Sequence, residues 1–340
     1  EYGCGLAPLG EYRVGIHVGA IFIILIASAL GVGLPIVLQR HPDAAARSST
    51  GFLSKVISES FFVLKHASYG IIVAVCFVHL LIHAFIYLGN ECVQPLAYEA
   101  TAASITMGGV LFVFIVDFLL LHSIRRKAAQ AQDAVTQAHS ASASPTKGEV
   151  AECGILDPEA TGSIGDETLA EDVRQAKANM QVFELLIFEL SILLHSVIIG
   201  VTLGASDGSG WSTLLIAVVF HQLFEGFALG ARIAELPHRV GGPLKKFLMA
   251  TAFALITPVG IAIGMGSRYS WNPNDRSTLL VMGILQSISA GALLWSALVE
   301  MIAGDYLYGP MARASLGRGM VGIISLLIGA VLMSVLAQWA

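Results

Sequence analysis

The sequence predicts an all-α integral membrane protein with eight transmembrane helices. Of its 340 residues, 55% are hydrophobic and 13% are charged, whereas about a quarter of the residues in soluble domains are charged. Helices need roughly 20 apolar residues to cross the hydrocarbon layer, and lipid offers the backbone of an irregular segment no hydrogen-bond partner. Eight segments meet this requirement, namely residues 15–38, 66–88, 103–123, 181–204, 212–234, 245–267, 278–302 and 318–339.

The basic residues predict the orientation of these spans. Of the 19 Lys and Arg residues, all but Arg13, Arg268 and Arg276 lie in or beside the loops that follow spans one, three, five and seven. Cytoplasmic loops are enriched in Lys and Arg, so we expect these loops in the cytosol and both termini outside. The net charge of -5 points to no particular partner, and we expect the chain to contact the lipid bilayer and no nucleic acid.

The chain divides into four stretches. Residues 1–124 hold spans one to three and an extracellular N-terminus, 181–235 hold spans four and five, and 236–340 hold spans six to eight and an extracellular C-terminus. Residues 125–180 are rich in Ala, Ser, Gln, Asp and Glu and cannot bury enough apolar surface to fold alone. We expect a mostly flexible cytosolic loop there, although the helix formers in "TLAEDVRQAKANMQ" could extend span four.

Two cysteines lie on the predicted outer side. Cys4 precedes span one and Cys92 follows span two. An oxidising compartment permits a disulfide between them, and two free thiols are the alternative.

The motif "HQLFEGFALG" in span five places polar groups at membrane depth. His221 and Glu225 are four residues apart and share one helix face, with Gln222 beside them. His195 in span four, followed by Ser196, lies at a similar depth. Two imidazoles and a carboxylate without a thiolate suit Zn²⁺ or Fe²⁺ and suit Ca²⁺ or Mg²⁺ poorly. The alternative, a set of satisfied core groups, is weaker because ionisable groups inside a membrane are costly and usually mark pathways.

A second motif, "HSVIIGVTLG", repeats part of this pattern in span four. Each motif begins with a histidine and has glycines five and nine positions later. The two spans run in opposite directions, as similar motifs do in inverted-repeat transporters. Such glycine pairs allow helices to approach closely, and we expect this approach to bring His195 and His221 within reach of one ion.

Four further residues are candidates for a pathway on either side of this site. His79 and His83 in "CFVHLLIHAF" could relay a cation inward from the outer mouth; the alternative is a histidine that caps a helix end or bonds a neighbouring carbonyl. Glu189, roughly 9 Å nearer the cytosol than His195, and Glu300, near the inner end of span seven, could pass the cation onward. Either carboxylate could equally be exposed to water.

Six stretches of the sequence together resemble the ZIP (Zrt-, Irt-like) divalent metal transporters, in the eukaryotic branch of zinc and iron uptake proteins. The matching stretches are "SALGVGLP", "KHASYGIIVAVCFVHLL", "ELSILLHSVIIGVTLG", "HQLFEGFALGARI", "ATAFALITPVGIAIG" and "GALLWSALVE".

The resemblance implies an eight-helix 3+2+3 bundle with inverted-repeat character, a homodimer, and elevator-like movement of spans one, four, five and six against the others. It also implies a metal centre between spans four and five, with roles for His195, Ser196, His221, Gln222 and Glu225. Some relatives carry a second carboxylate four residues after the span-four histidine. Ile199 stands there in this chain, so we expect one main site.

These observations favour an importer of zinc or iron(II) in the plasma membrane. The metal is then the substrate, and we expect no resident cofactor and no enzymatic activity. Two alternatives remain. An intramembrane zinc hydrolase would need an open coordination position and a general base, and the sequence contains no HExxH motif. A metal-containing receptor would hold its ion without flux.

Overall fold

A computed structural model describes Cys4 and residues 12–40, 51–93, 96, 98–142, 158–208, 210–237, 240–268, 272 and 274–339. Within this part of the chain, eight helices are long and apolar enough to cross a membrane. The predicted all-α membrane fold is therefore confirmed.

We number the helices α1 to α8, so that each number equals that of its span. They are α1 (Val14–Arg40), α2 (residues 51–88), α3 (Thr101–Ser142), α4 (Pro158–Ala205), α5 (Trp211–Glu235), α6 (Pro243–Ser267), α7 (residues 276–306) and α8 (Leu316–Leu336). A short 3₁₀ helix, Pro310–Arg313, joins α7 to α8.

Two of these helices contain a π-helical segment. Such turns are rare in proteins overall, but those that occur are often found at functional sites. The extra residue in the turn changes which side chains face a neighbouring helix. The segments are Val75–Leu81 in α2, between Gly51–Ala74 and Ile82–Leu88, and Ser296–Ala303 in α7, between Arg276–Trp295 and Gly304–Tyr306.

The predicted flexible loop at 125–180 differs from the structure. Helix α3 continues to Ser142 and α4 begins at Pro158, so residues 125–142 and 158–180 are helical; residues 143–157 lie outside the described part. Residues 125–142 are rich in Ala and Gln, and residues 158–180 are rich in Ala and Glu; all three residue types are strong helix formers. Each also extends an existing membrane helix, so no new helix nucleus has to form.

Asp275 caps the N-terminus of α7. Its exposed carboxylate accepts hydrogen bonds from the Ser277 hydroxyl and from the Ser277 backbone N–H, the latter at 3.0 Å. These hydrogen bonds lower the pKa of the Asp275 carboxyl below its ordinary value. A side-chain oxygen at this position satisfies a backbone donor that the first turn leaves free.

Helix packing separates the eight helices into two groups of four. We call α1, α4, α5 and α6 the first block, and α2, α3, α7 and α8 the second block. In the first block, α1 packs along α5, α4 packs along α6, and α1 also contacts α6. In the second block, α2 packs along α8 and α3 along α7, while α7 also contacts α2. The two blocks meet less extensively, mainly where α4 contacts α7 and α3 and where α2 contacts α5.

Glycines make the closest helix contacts inside each block. In the first block, a Cβ atom on Gly200 would lie 2.5 Å from the carbonyl oxygen of Thr257. In the second block, a Cβ atom on Gly109 would lie 3.0 Å from the carbonyl oxygen of Ile288. Among the described glycines, none makes such a backbone contact from one block to the other. Glycines therefore join the helices of each block backbone to backbone, and the described glycines form no such contact at the boundary.

The expected approach of α4 to α5 through their glycines is wrong. Gly200 and Gly204 pack against α6, while Gly226 and Gly230 pack against α1. The physical reason is helix geometry: at 3.6 residues per turn, a glycine five residues after a histidine lies about 140° round the helix from it. The glycines therefore face the partner helices of their own block and leave the histidine faces free to meet.

The structure also decides between the two alternatives for the outer cysteines. Cys4 and Cys92 form a disulfide, with their Cα atoms 5.3 Å apart. The bridge joins the segment before α1 to the segment after α2, so it connects the two blocks covalently.

Candidate metal centre

His221 and Glu225 lie on one face of α5, as their spacing predicts. Both side chains are fully buried, and His221 Nε2 is 3.2 Å from Glu225 Oε1. The two atoms are not aligned as a hydrogen bond, and neither oxygen of Glu225 has a donor among the described residues. A buried carboxylate without donors is expensive unless a cation or proton balances its charge.

His195 on α4 faces this pair from the neighbouring helix. Its Nε2 atom is 3.4 Å from His221 Nε2 and 3.9 Å from Glu225 Oε1. Like the pair on α5, it is fully buried. His195 and His221, which the sequence predicts at a similar depth, are therefore neighbours in the structure.

His79 joins these residues from the second block. It lies in the π-helical segment of α2, and its ring centroid is 5.0 Å from those of both His195 and His221. One ring nitrogen from each of the three histidines lies within 4.8 Å of the others. Neither nitrogen of His79 has a hydrogen-bond partner in the described chain. His79, His195, His221 and Glu225 form what we call the candidate metal centre.

The spacing of these atoms fits a small tetrahedral cation. With Zn–N bonds of about 2.0–2.1 Å, two nitrogens on one tetrahedral ion lie roughly 3.4 Å apart. The 3.4 Å and 3.2 Å separations at His221 match this value, and the longer ones need side-chain shifts of roughly 1 Å. Three imidazoles and one carboxylate also suit a borderline transition metal by ligand type.

Ser196 and Gln222 are buried next to the centre in sequence. The Ser196 hydroxyl and both polar atoms of the Gln222 amide have no hydrogen-bond partner in the described chain. Each residue directly follows a histidine of the centre and therefore lies about 100° round its helix from that histidine. Their roles as ligands stay predictions.

His83 lies on the other side of His79 from the centre. It is half-buried, and its ring centroid is 4.4 Å from that of His79. The Tyr87 ring follows at 5.9 Å. The edge-to-face contact of the two histidine rings agrees with the predicted line of imidazoles, but only His79 contacts the centre.

On the opposite side, the Glu300 side chain is 5% exposed and is paired. Its carboxylate accepts hydrogen bonds from Arg232 Nη2 at 2.7 Å and from Ser296 Oγ at 3.2 Å. The residue as a whole is half-buried, so the predicted pathway role of Glu300 and the alternative of contact with water both stay predictions. Glu189 is also buried and has no hydrogen-bonding or ion-pair partner among the described residues. Glu300 lines a cavity of about 150 Å³ together with Gln181, Glu184, Leu185, Arg232, Glu235 and Leu236.

Sequence reasoning missed one residue that touches the centre. Gln286 on α7 is buried, and its Oε1 atom lies 3.0 Å from His195 Nδ1. A signal was present, because Gln286 is a polar residue within the apolar stretch "GILQSISAGALL". The same kind of signal singled out His221.

Comparison with known proteins confirms the resemblance. A family model described as ZIP zinc transporter matches residues 14–337. The chain is 34% identical over 331 residues to zinc-regulated transporter 1 of Candida albicans, covering 97% of this chain but 62% of that relative, which is less than two thirds of its length. It is 32% identical over 325 residues to zinc transporter 3 of Arabidopsis thaliana, covering 95% of this chain and 84% of the relative. It is 27% identical over 411 residues to zinc-regulated transporter 2 of Saccharomyces cerevisiae, covering 96% and 95%. The chain therefore belongs to the ZIP zinc transporter family.

Proposed function

We propose that this protein imports zinc, iron(II) or both into the cytosol through the candidate metal centre. One observation carries the proposal: three imidazoles and one carboxylate from three helices converge at a buried point within the membrane spans. The names of the relatives, which describe zinc transporters, agree with this substrate class. Ile199 contributes no second carboxylate, so we propose one main ion at a time.

The arrangement of side chains supports a route for the ion. His83 and His79 receive the cation from outside, and His195, His221 and Glu225 complete its coordination with help from Ser196 and Gln222. Glu189 and Glu300 then lie on the way to the cytosol. Transport requires a site that binds strongly enough to replace water and weakly enough to release the ion.

The two-block packing supports an elevator-type movement as the means of release. His195, His221 and Glu225 belong to the first block, whereas His79 belongs to the second. A displacement of the first block against the second withdraws one imidazole from the ion and weakens its binding. The absence of glycine backbone contacts between blocks, among the described residues, favours movement at this boundary. The helix pairing within each block is also compatible with the 3+2+3 inverted repeat.

Several features of the assembled protein belong to the same proposal. The positive charge of the loops supports cytosolic loops with both termini outside, and the family supports a homodimer in the plasma membrane. Staining of an N-terminal epitope on intact cells tests the location and the orientation together. A native mass of one 35.9 kDa chain, where two are expected, would contradict the dimer.

The first experiment is uptake of radiolabelled zinc and iron, measured separately in cells that lack their own importers. Cells express the intact chain, His221→Ala or Glu225→Ala at equal surface levels. We expect saturable uptake by the intact chain and a loss of at least about tenfold in each variant, because removal of one ligand costs 1.4 kcal/mol or more of binding.

The alternatives give different results in the same assay. A receptor with a structural metal would bind zinc without saturable flux. A hydrolase would show no flux and would release a product that depends on Glu225. Absence of uptake by an intact chain that is folded and at the surface would contradict import.

A further inference from the structure

The hydrogen bond between His195 and Gln286 connects the metal centre to α7. His195 Nδ1 is 3.0 Å from Gln286 Oε1, and both side chains are at most 1% exposed. The other ring nitrogen, Nε2, faces His221 and Glu225. The two nitrogens of His195 therefore have different surroundings: Nδ1 meets an amide oxygen and Nε2 meets the candidate centre.

The partner of Nδ1 determines which tautomer the ring adopts. A carbonyl oxygen can only accept a hydrogen bond, so Gln286 Oε1 favours the proton on Nδ1. The Nε2 atom then carries a lone pair and can bind a cation. Outer partners of this kind fix the tautomer and orientation of metal-binding histidines, and their loss typically costs 10- to 100-fold in affinity.

His195 differs from the other two histidines in this respect. His221 Nδ1 and both nitrogens of His79 have no hydrogen-bond partner in the described part of the chain. Among the described residues, His195 is therefore the one histidine of the centre whose outward-facing ring nitrogen, Nδ1, has a side-chain hydrogen-bond partner. The holding residue lies on α7 in the second block, whereas His195 lies on α4 in the first.

We infer that Gln286 is a positioning residue for the transported ion, which holds His195 in the tautomer and orientation that present Nε2 to the metal. The inference rests on the proposed function of the centre. It adds that the second block contributes both an imidazole, from His79, and the group that orients His195. Separation of the blocks removes both contributions together.

The test compares two substitutions that differ in the acceptor. Gln286→Met keeps the length of the side chain and removes the amide oxygen, whereas Gln286→Glu keeps an oxygen acceptor at the same reach. For Gln286→Met we expect the KM for zinc uptake, and the Kd for zinc of the purified protein in equilibrium dialysis, to rise roughly 10- to 100-fold. For Gln286→Glu we expect both constants within about threefold of the intact values, or lower.

Ser287→Ala is the matched control. Ser287 is also buried on α7, and its hydroxyl bonds the carbonyl of Gly283 in its own helix. We expect its KM to match that of the intact chain. If Gln286→Met fails to fold, Gln286→Asn carries the same expectation, because its shorter amide cannot reach Nδ1.

A spectroscopic measurement separates positioning from packing. In protein with ¹⁵N-labelled histidine, the His195 signals, assigned by comparison with His195→Ala, should show the Nδ1–H tautomer. They should show a mixture of tautomers in Gln286→Met. A packing role alone would leave the tautomer unchanged.

The outcomes also separate this inference from the proposed function. Unchanged zinc constants in Gln286→Met, or equal losses in the Met and Glu variants, would overturn the positioning role while zinc uptake and its loss in His221→Ala persist. If the intact chain neither binds nor transports zinc, the proposed function and this inference fail together.

Discussion

The side chains of the candidate metal centre carry a cost that folding alone does not repay. Within the described chain, Glu225 is fully buried and its carboxylate has no hydrogen-bond donor. His79 is also buried, and neither of its ring nitrogens has a hydrogen-bond partner. Most buried polar groups in proteins have a partner, so each exception calls for an explanation. A cation coordinated by these atoms balances the negative charge and uses the lone pairs at once.

Substitution of His79 tests whether its imidazole is a metal ligand. His79→Ala removes one of the three converging imidazoles, and we expect the KM for zinc to rise about tenfold or more, equivalent to 1.4 kcal/mol. His83→Ala removes a histidine that touches only His79 and Tyr87 among the described aromatic rings. We expect it to change the KM less than about threefold.

Zinc uptake at a range of concentrations, with surface expression measured in parallel, checks both values. Equal effects of the two substitutions would show that His79 acts as an entry residue and not as a ligand.

The pairing of His221 with Glu225 could be predicted because it depends only on helix geometry within one span. The contact of His79 with His195 could not. It depends on which faces of α2 and α4 meet and on the π-helical segment, whose extra residue changes the facing of the side chains around His79. Gln286 remained hidden for a similar reason, because its partner lies 91 positions away.

At the scale of helices, the contact between α4 and α6 depends on glycine. A Cβ atom on Gly260 would lie 2.8 Å from the carbonyl oxygen of Val197 and 3.0 Å from the Cα atom of Gly200. These are backbone atoms, so no side-chain rotation relieves the overlap. Gly266, later in the same helix, would place its Cβ atom with nothing within 4 Å.

We therefore expect opposite effects from the same substitution at the two positions. Gly260→Ala should destabilise the protein by about 1–3 kcal/mol, the usual cost of overpacking. Gly266→Ala should leave stability unchanged or raise it by up to about 1 kcal/mol, because Ala favours the helix over Gly. Thermal unfolding of the purified variants in one detergent provides the comparison. A fall in the unfolding temperature of Gly266→Ala as large as that of Gly260→Ala would contradict the packing explanation.

The existence and order of all eight helices could be predicted from apolar length, whereas their ends and partners could not. Residues 125–142 and 158–180 are polar, yet they continue α3 and α4 as helix. The glycine motifs indicated close packing correctly but did not name the partner helix. Each glycine lies about 140° round the helix from the preceding histidine, which indicates that the glycines and the histidines face different partner helices.

Among the residues that the structure describes, two ion pairs connect the blocks on the side of the centre away from His83. Arg232 on α5 binds Glu300 on α7 at 2.7 Å, and Lys65 on α2 binds Glu235 at the end of α5 at 2.6 Å. The Glu300 side chain is 5% exposed, so breaking its pair leaves a charge that water solvates poorly. These pairs favour the arrangement of blocks described here over a displaced one.

A double-mutant cycle tests the pair between Arg232 and Glu300. We expect Arg232→Met and Glu300→Gln each to reduce zinc uptake and thermal stability. The double variant should lose less stability than the sum of the losses in the two single variants. The expected coupling is about 0.5–3 kcal/mol, the range for residues in direct contact. The exposed pair between Arg174 and Glu171, 3.7 Å apart, serves as the control, because such pairs contribute little.

Additive losses at Arg232 and Glu300 would indicate that Glu300 acts on the ion independently of Arg232. That result would favour the predicted role of Glu300 in the exit route and would remove the ion pair as a stabiliser of this arrangement.

The glycine contacts inside the blocks also bear on how such a protein can change during evolution. Where two backbones touch, as at Gly200 and Gly260, neither partner can acquire a side chain unless the helices separate, so the packing disfavours any other residue at these positions. Contacts between the blocks include pairs of long side chains, such as Arg232 with Glu300 and Gln286 with His195, and a change of side chain there creates no overlap between backbones. We therefore expect substitutions at the boundary to alter zinc uptake without unfolding the protein, and substitutions at these glycines to reduce the folded fraction itself.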